Sequence, residues 1–189
     1  MVKLINWANE QAAMLNKLDW AVPTLARLLF ASALLNYFWA SGLTKLGDGV
    51  LGIFQPSVGA YAQIFPRVME SVVYDTSQLN LFHWVVVVAG TWAEFILPAL
   101  VVLGLLTRLS SLGMIGFIVV QSLTDLYGHG AIEHEGTLGA FFDRFPDAII
   151  LDQRAFWVFA LLVLVIKGAG PLSLDRLLRG SQSAETSAA

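Results

Sequence analysis

LFHWVVVVAGTWAEFILPALVVLGLLTR, residues 81–108, is an apolar run long enough to cross a bilayer, for which about 20 helical residues suffice. Glu94 falls within one residue of the midpoint of the span 81–106. A carboxylate at that depth costs at least ~2.5–3.5 kcal/mol unless it is protonated, paired or wetted. It must therefore face protein or water, because lipid cannot solvate it. The stretch predicts a polar locus inside a membrane bundle.

The rest of the composition agrees. Of 189 residues, 57% are hydrophobic and 13% charged, and the mean hydropathy is +0.69, which defines an integral membrane protein of one compact domain. There is no cysteine, which excludes disulfide exchange, thiolate nucleophiles, Cys-ligated metals and Cys-held iron–sulfur clusters. No nucleic-acid partner is expected; the lipid bilayer is.

Working outward from Glu94, four spans are predicted, at about 22–44, 81–106, 109–127 and 155–172. The fold class is all-α, a polytopic antiparallel four-transmembrane-helix bundle with short amphipathic helices in the outer loops. One domain covers 1–180, and the small polar residues 181–189 read as a disordered tail. Residues 1–19 carry Leu4, Trp7, Ala8, Met14, Leu15 and Leu18 at roughly helical spacing, which predicts an amphipathic helix lying on the membrane. The first apolar run follows Lys3, Glu10, Lys17 and Asp19 and precedes no small-residue cleavage site, so a retained span is expected. Between Lys45 and Asn80, Val58, Tyr61, Phe65, Val68 and Val72 step by three and four, which predicts a helix broken near Pro66. The link at Thr107–Arg108 is too short for anything but a helical hairpin.

Orientation follows from the basic residues. The face with both termini and the short link holds Lys3, Lys17, Arg27, Arg108, Lys167, Arg176 and Arg179; the long-loop face holds Lys45, Arg67, Arg144 and Arg154. This seven-to-four excess places both termini inside. Trp39, Trp84, Tyr127 and Trp157 are expected at the outer interface as an aromatic belt.

Glu94 is the candidate catalytic residue, either passing a proton or hydrogen-bonding a quinone carbonyl; the alternative is a structural bond between helices. Its expected partners are Asn36 and Tyr37 on the first span, Gln121 on the third, and the long side chain of Arg27. Lys45 is expected to snorkel outward, unless an outer loop folds back and aims it at an anionic ligand. Trp92, with Trp39, Tyr37 and Phe95, offers walls for a flat ring, or plain packing. Asp125, His129, Glu133 and His134 form a second constellation. Continued as a helix they would share one face and hold copper or zinc, whereas Gly128, Gly130 and Gly136 favour a solvated loop. His83 reads as a proton entry point or an interfacial residue.

Three motifs then carry a resemblance. Residues 26–46, ARLLFASALLNYFWASGLTKL, with Arg27, Gly42 and Lys45, resemble the opening of the DoxX family. Ala93–Glu94 followed by Gly104-Leu105-Leu106-Thr107-Arg108 is similar to that family's Glu-containing helix and its Gly-Leu-x-Thr-Arg turn, and Gly170 to Asp175 resembles its terminal Gly-x-x-Ser-Leu-Asp signature. The resemblance implies a four-helix protein of the bacterial or archaeal inner membrane, in the DoxX/DoxD group associated with thiosulfate:quinone oxidoreductase subunits and membrane oxidoreductase complexes. The leading expectation is a subunit of a quinone-linked oxidoreductase, with Glu94 facing the ligand, Arg27 or Lys45 compensating its charge, and a protein partner in an oxidoreductase or assembly complex. The alternative is a non-catalytic metal-handling or assembly protein using Asp125, His129 and His134. A homo-oligomer stays open.

Overall fold

In the computed structural model, which describes residues 1–180, every regular element is helical and no strand occurs among those residues. Among the described residues, four helices are long and apolar enough to cross a membrane: Asn16–Lys45 (α2), Leu81–Leu103 (α5), Thr107–Gly128 (α6) and Ile149–Lys167 (α7). An N-terminal helix, Val2–Leu15 (α1), precedes them, and two short helices, Val58–Ile64 (α3) and Pro66–Ser71 (α4), fill the first long loop. A last turn, α8, covers 174–180. The expected tail at 181–189, and the side chains of Leu4, Ala8, Met14 and Leu15 that suggested an amphipathic α1, lie outside the described residues.

The four spanning helices close into a ring, with α2 on α5, α5 on α6, α6 on α7 and α7 back on α2. Short links enforce the antiparallel order: α5 ends at Gly104 in the left-handed region (φ 68°), and α6 begins three residues later. Phe30, Leu34 and Phe38 of α2, Val101 of α5, Met114 and Ile118 of α6, and Leu161 and Leu164 of α7 form the core. Along α2 they recur every four residues, a spacing that keeps one helical face inward. Pro98 is buried within α5, and the helix runs through it.

The spans shift from their expected limits. The first starts at Asn16, six residues early, because a 3₁₀ turn at Asn16–Ala21 runs into the helix; the fourth starts at Ile149 and stops at Lys167, where Gly168 takes positive φ (82°). Three π-helical turns interrupt the bundle, at Ala31–Leu35, Thr124–Gly128 and Ile149–Arg154. The break at Pro66 is where the sequence placed it: Phe65 leaves helical geometry (φ −125°, ψ 57°) between α3 and α4. Around it Ala60, Tyr61 and Met69 pack on Val87 of α5 as a second apolar cluster.

The register of α2 against α5 governs everything at Glu94. Arg27 of α2 lies against Val101 and Val102, Trp39 donates to the Phe95 carbonyl at 3.2 Å, and Lys45 meets Glu94. The outer end of α2 thus stops level with the middle of α5, and α3 and α4 cover the outer half of α5 instead. Trp39 is accordingly drawn in from the expected belt to the level of Phe95, and Trp157 packs on the rings of Tyr37 and Phe38.

Candidate functional site

Glu94 is 3% exposed, and the chain gives it two partners. Lys45 Nζ lies 3.0 Å from each carboxylate oxygen. Ser41 Oγ donates to Glu94 Oε1 at 3.1 Å and accepts from Lys45 Nζ at 2.8 Å. Ser41 and Lys45 are four residues apart, so one face of the last turn of α2 presents both. Lys45 also donates to the Ser41 carbonyl at 3.3 Å, the favourable place for a cation at a helix C-terminus. Lys45 is 5% exposed because the following loop folds back over it. Ser57 N donates to the Lys45 carbonyl and Ser57 Oγ to the Thr44 carbonyl, which closes α2 from outside. Gly47 and Gly52 permit that fold, their backbones so close that a Cβ on either would sit about 2 Å from a carbonyl oxygen. Gly42 serves the same contact from below, its Cα facing the ring of Phe95.

The ion pair borders a cavity of about 510 Å³ between α5 and α6. Its walls are largely apolar and set back by small residues, with Ala89, Gly90 and Ala93 on α5 and Gly113 and Gly116 on α6. Gln121, Thr124, Asp125 and His129 continue it toward the outer loops. Because Glu94 and Lys45 are nearly closed off, the cavity reaches the edge of the pair and does not flood it. Gln121 Nε2 donates to Tyr37 Oη at 3.0 Å, while Gln121 Oε1 is buried without a hydrogen-bond partner among the described residues.

Most of the expected partners of Glu94 are elsewhere. Arg27 is about 10 Å away along the axis of α5, by the helical rise between 94 and 101. There its guanidinium donates to the carbonyls of Val101, Val102, Ala169 and Leu172, which are carbonyls at the end of α5 and in the segment after α7. Asn36 is exposed, and Tyr37 holds Gln121 rather than Glu94. Trp92 donates to the Ile53 carbonyl at 3.0 Å and packs tilted against the ring of Phe54, so it anchors the outer loop and does not line the cavity. Arg27 was expected deeper toward the inside and is committed there, while Tyr37 and Gln121, expected at the depth of Glu94, bond to each other instead.

The acidic, His-containing constellation is also rearranged. The helix does not continue through it: a π-helical turn ends α6 at Gly128, and Gly130 turns the chain away (φ 71°). Asp125 is taken by Arg154, whose Nη2 lies 2.6 Å from it and whose Nη1 donates to Ser122 Oγ at 2.9 Å. His129 Nε2 lies 3.0 Å from the Gln63 carbonyl. Among the described residues no group of three or more His, Cys, Asp or Glu side chains is placed to hold a metal, so the expected set of Asp125, His129 and His134 is not assembled. His83 completes a capping box with Asn80 at the start of α5.

At the opposite end, residues that the sequence singled out only as motifs converge on the short link. Asp175 accepts from Leu106 N at 2.8 Å, from Thr107 N at 2.9 Å and from Thr107 Oγ1 at 2.7 Å, and so caps α6 from a distant part of the chain. Partial burial opposes the charge of Asp175, but the bonds from Thr107 and Leu106, with Arg179 nearby, hold its carboxyl below the ordinary value. Gly104 lies between Ser173 and Arg27, where a Cβ would come within 2.6 and 2.7 Å. Arg27, Gly104–Thr107 and Ser173–Asp175 are therefore one clamp.

Fold and site together define a class: a polytopic four-helix membrane protein with an ion pair buried beside an intramembrane cavity. The DoxX family profile matches residues 22–124, more than half of the chain, and the protein belongs to that family. The matched residues include Ser41, Lys45 and Glu94, while Ser173–Asp175 fall beyond them. No curated protein and no solved structure matches the chain.

Proposed function

We propose that the α5–α6 cavity binds a quinone-class ligand and that the chain is the membrane subunit of a quinone-linked oxidoreductase, in a bacterial or archaeal inner membrane with both termini cytoplasmic. The observation that carries this is a mostly apolar cavity of about 510 Å³ bordered by the Ser41–Lys45–Glu94 cluster. Its size suits a ring headgroup, since small-molecule sites span about 300–1,000 Å³. A ligand oxygen that displaced the Ser41 hydroxyl would accept from Lys45 Nζ, and a quinol hydroxyl would find an acceptor in Gln121 Oε1. Reduction of a quinone takes two electrons and two protons. In this reading a partner subunit delivers the electrons, and Glu94, with Lys45 balancing its charge, hands on protons.

Gly116→Leu tests the reading. A Cβ at Gly116 meets nothing within 4 Å, so the larger side chain fills the cavity without disturbing the ion pair. Purified wild-type protein should retain extractable quinone and bind a short-chain ubiquinone analogue; Gly116→Leu should bind it at least about tenfold more weakly, the effect of losing about 1.4 kcal/mol of contact. Equal binding by a well-folded Gly116→Leu, or no quinone binding by the wild type, would overturn it.

A further inference from the structure

A second pocket, of about 200 Å³, lies at the other end of the bundle, beside the short link. Arg108, Lys167, Arg176 and Arg179 line it, together with the Gly168–Gly170 turn and Asp175. All four cations are exposed. The one acid on the wall, Asp175, holds the N-terminus of α6 and lies near Arg179, so it offsets only part of the positive charge. Arg108 spends one of its five donors on the Ile166 carbonyl, at 3.2 Å. Lys167 pairs with Asp19 at 2.7 Å, but both side chains are about half exposed, and such surface pairs exchange readily for another anion.

The place of this pocket names its ligand. Lys167 is the last residue of the spanning helix α7 and Arg108 the second of α6, so the cations stand where the hydrocarbon core gives way to headgroups. Beside them Ile166, Leu109, Leu172 and Leu177 are each more than 65% exposed. Cations above an apolar skirt match a molecule with an anionic phosphate above acyl chains. We infer that this pocket is a binding site for the headgroup of an anionic phospholipid, with the phosphate among Arg108, Lys167, Arg176 and Arg179 and the chains along the exposed leucines. Nothing in this site depends on the cavity beside Glu94.

The test uses the full-length protein in detergent, offered phosphatidylglycerol and phosphatidylcholine with the same acyl chains, with bound lipid counted by native mass spectrometry. Phosphatidylglycerol should be retained in preference to phosphatidylcholine, and less so as salt is raised. Each cation near the surface accounts for about a fivefold change in affinity, so Arg176→Gln with Arg179→Gln should weaken phosphatidylglycerol retention by roughly 25-fold. Millimolar inorganic phosphate should not displace the lipid. Equal retention of the two lipids by the wild type, undiminished retention by the double variant, or displacement by inorganic phosphate would overturn the assignment. The first and last of these comparisons use the wild type alone, so they hold even if the variant fails to fold.

Discussion

Replacing Lys45 with methionine removes one partner from a pair whose side chains are 6% and 4% exposed. At 3.0 Å two opposite charges attract by roughly 5–6 kcal/mol at an effective dielectric constant of about 20. Desolvation of both ions offsets most of that, so the intact pair contributes little net stability. The single variant is different, because Glu94 is left buried and uncompensated, which costs about 3–5 kcal/mol. An independent bound comes from the alternative of protonating the carboxyl, which at pH 7 takes about 3.7 kcal/mol for a reference pKa of about 4.3. Lys45→Met should therefore lose about 3–4 kcal/mol at pH 7. Adding Glu94→Gln removes the stranded charge and should recover all but about 1–2 kcal/mol. The assay is reversible unfolding in mixed micelles by added dodecyl sulfate, followed by tryptophan fluorescence, across the full double-mutant cycle. Additive effects, with the double variant as damaged as the sum of the singles, would refute the pairing.

Two further outcomes follow from contacts elsewhere in the bundle. Asp175→Ala removes three hydrogen bonds from the start of α6 and should cost about 1–2 kcal/mol at neutral pH. Because the folded carboxyl titrates below its ordinary value, that stability is present above the ordinary aspartate range and fades as pH falls through the lowered folded value. The gap between wild type and variant, read from unfolding curves, should thus close on acidification, and a gap that widens would contradict the cap. Gly42→Val drives a branched side chain into Phe95, whose ring atoms already lie 2.7 and 2.8 Å from an ideal Cβ. It should cost about 1–3 kcal/mol by separating α2 from α5, and an unchanged unfolding midpoint would show that the two helices do not touch there.

The bundle, its four spans, the hairpin at Thr107 and the break at Pro66 were legible because hydrophobic period and length are local properties of the chain. So was the requirement that Glu94 have company, since the cost of a lone carboxylate in lipid needs no coordinates. Which residue keeps it company was only partly legible, because Arg27 and Lys45 were both expected to compensate its charge. Lys45 follows the apolar run by position and reads as an outward-pointing cation; only the stagger of α2 against α5, and the loop closing over it through Ser57, bury it. Arg27 was the other candidate, since an arginine near a span end reads alike whether it meets a ligand or caps a neighbouring helix; its guanidinium bonds the carbonyls of Val101 and Val102. The glycines around Asp125 already favoured a loop over a metal-binding helix, but Arg154, 29 positions away, was invisible as the partner of Asp125. Sequence alone thus determined that this is a four-helix membrane protein with a charge needing an answer at its centre, because burial pattern and solvation cost are written residue by residue. Tertiary structure decided that Lys45 answers it, that a cavity lies beside the pair, and that Arg27 and Asp175 bind the opposite end, because each depends on helix register and on chain segments that are distant in sequence.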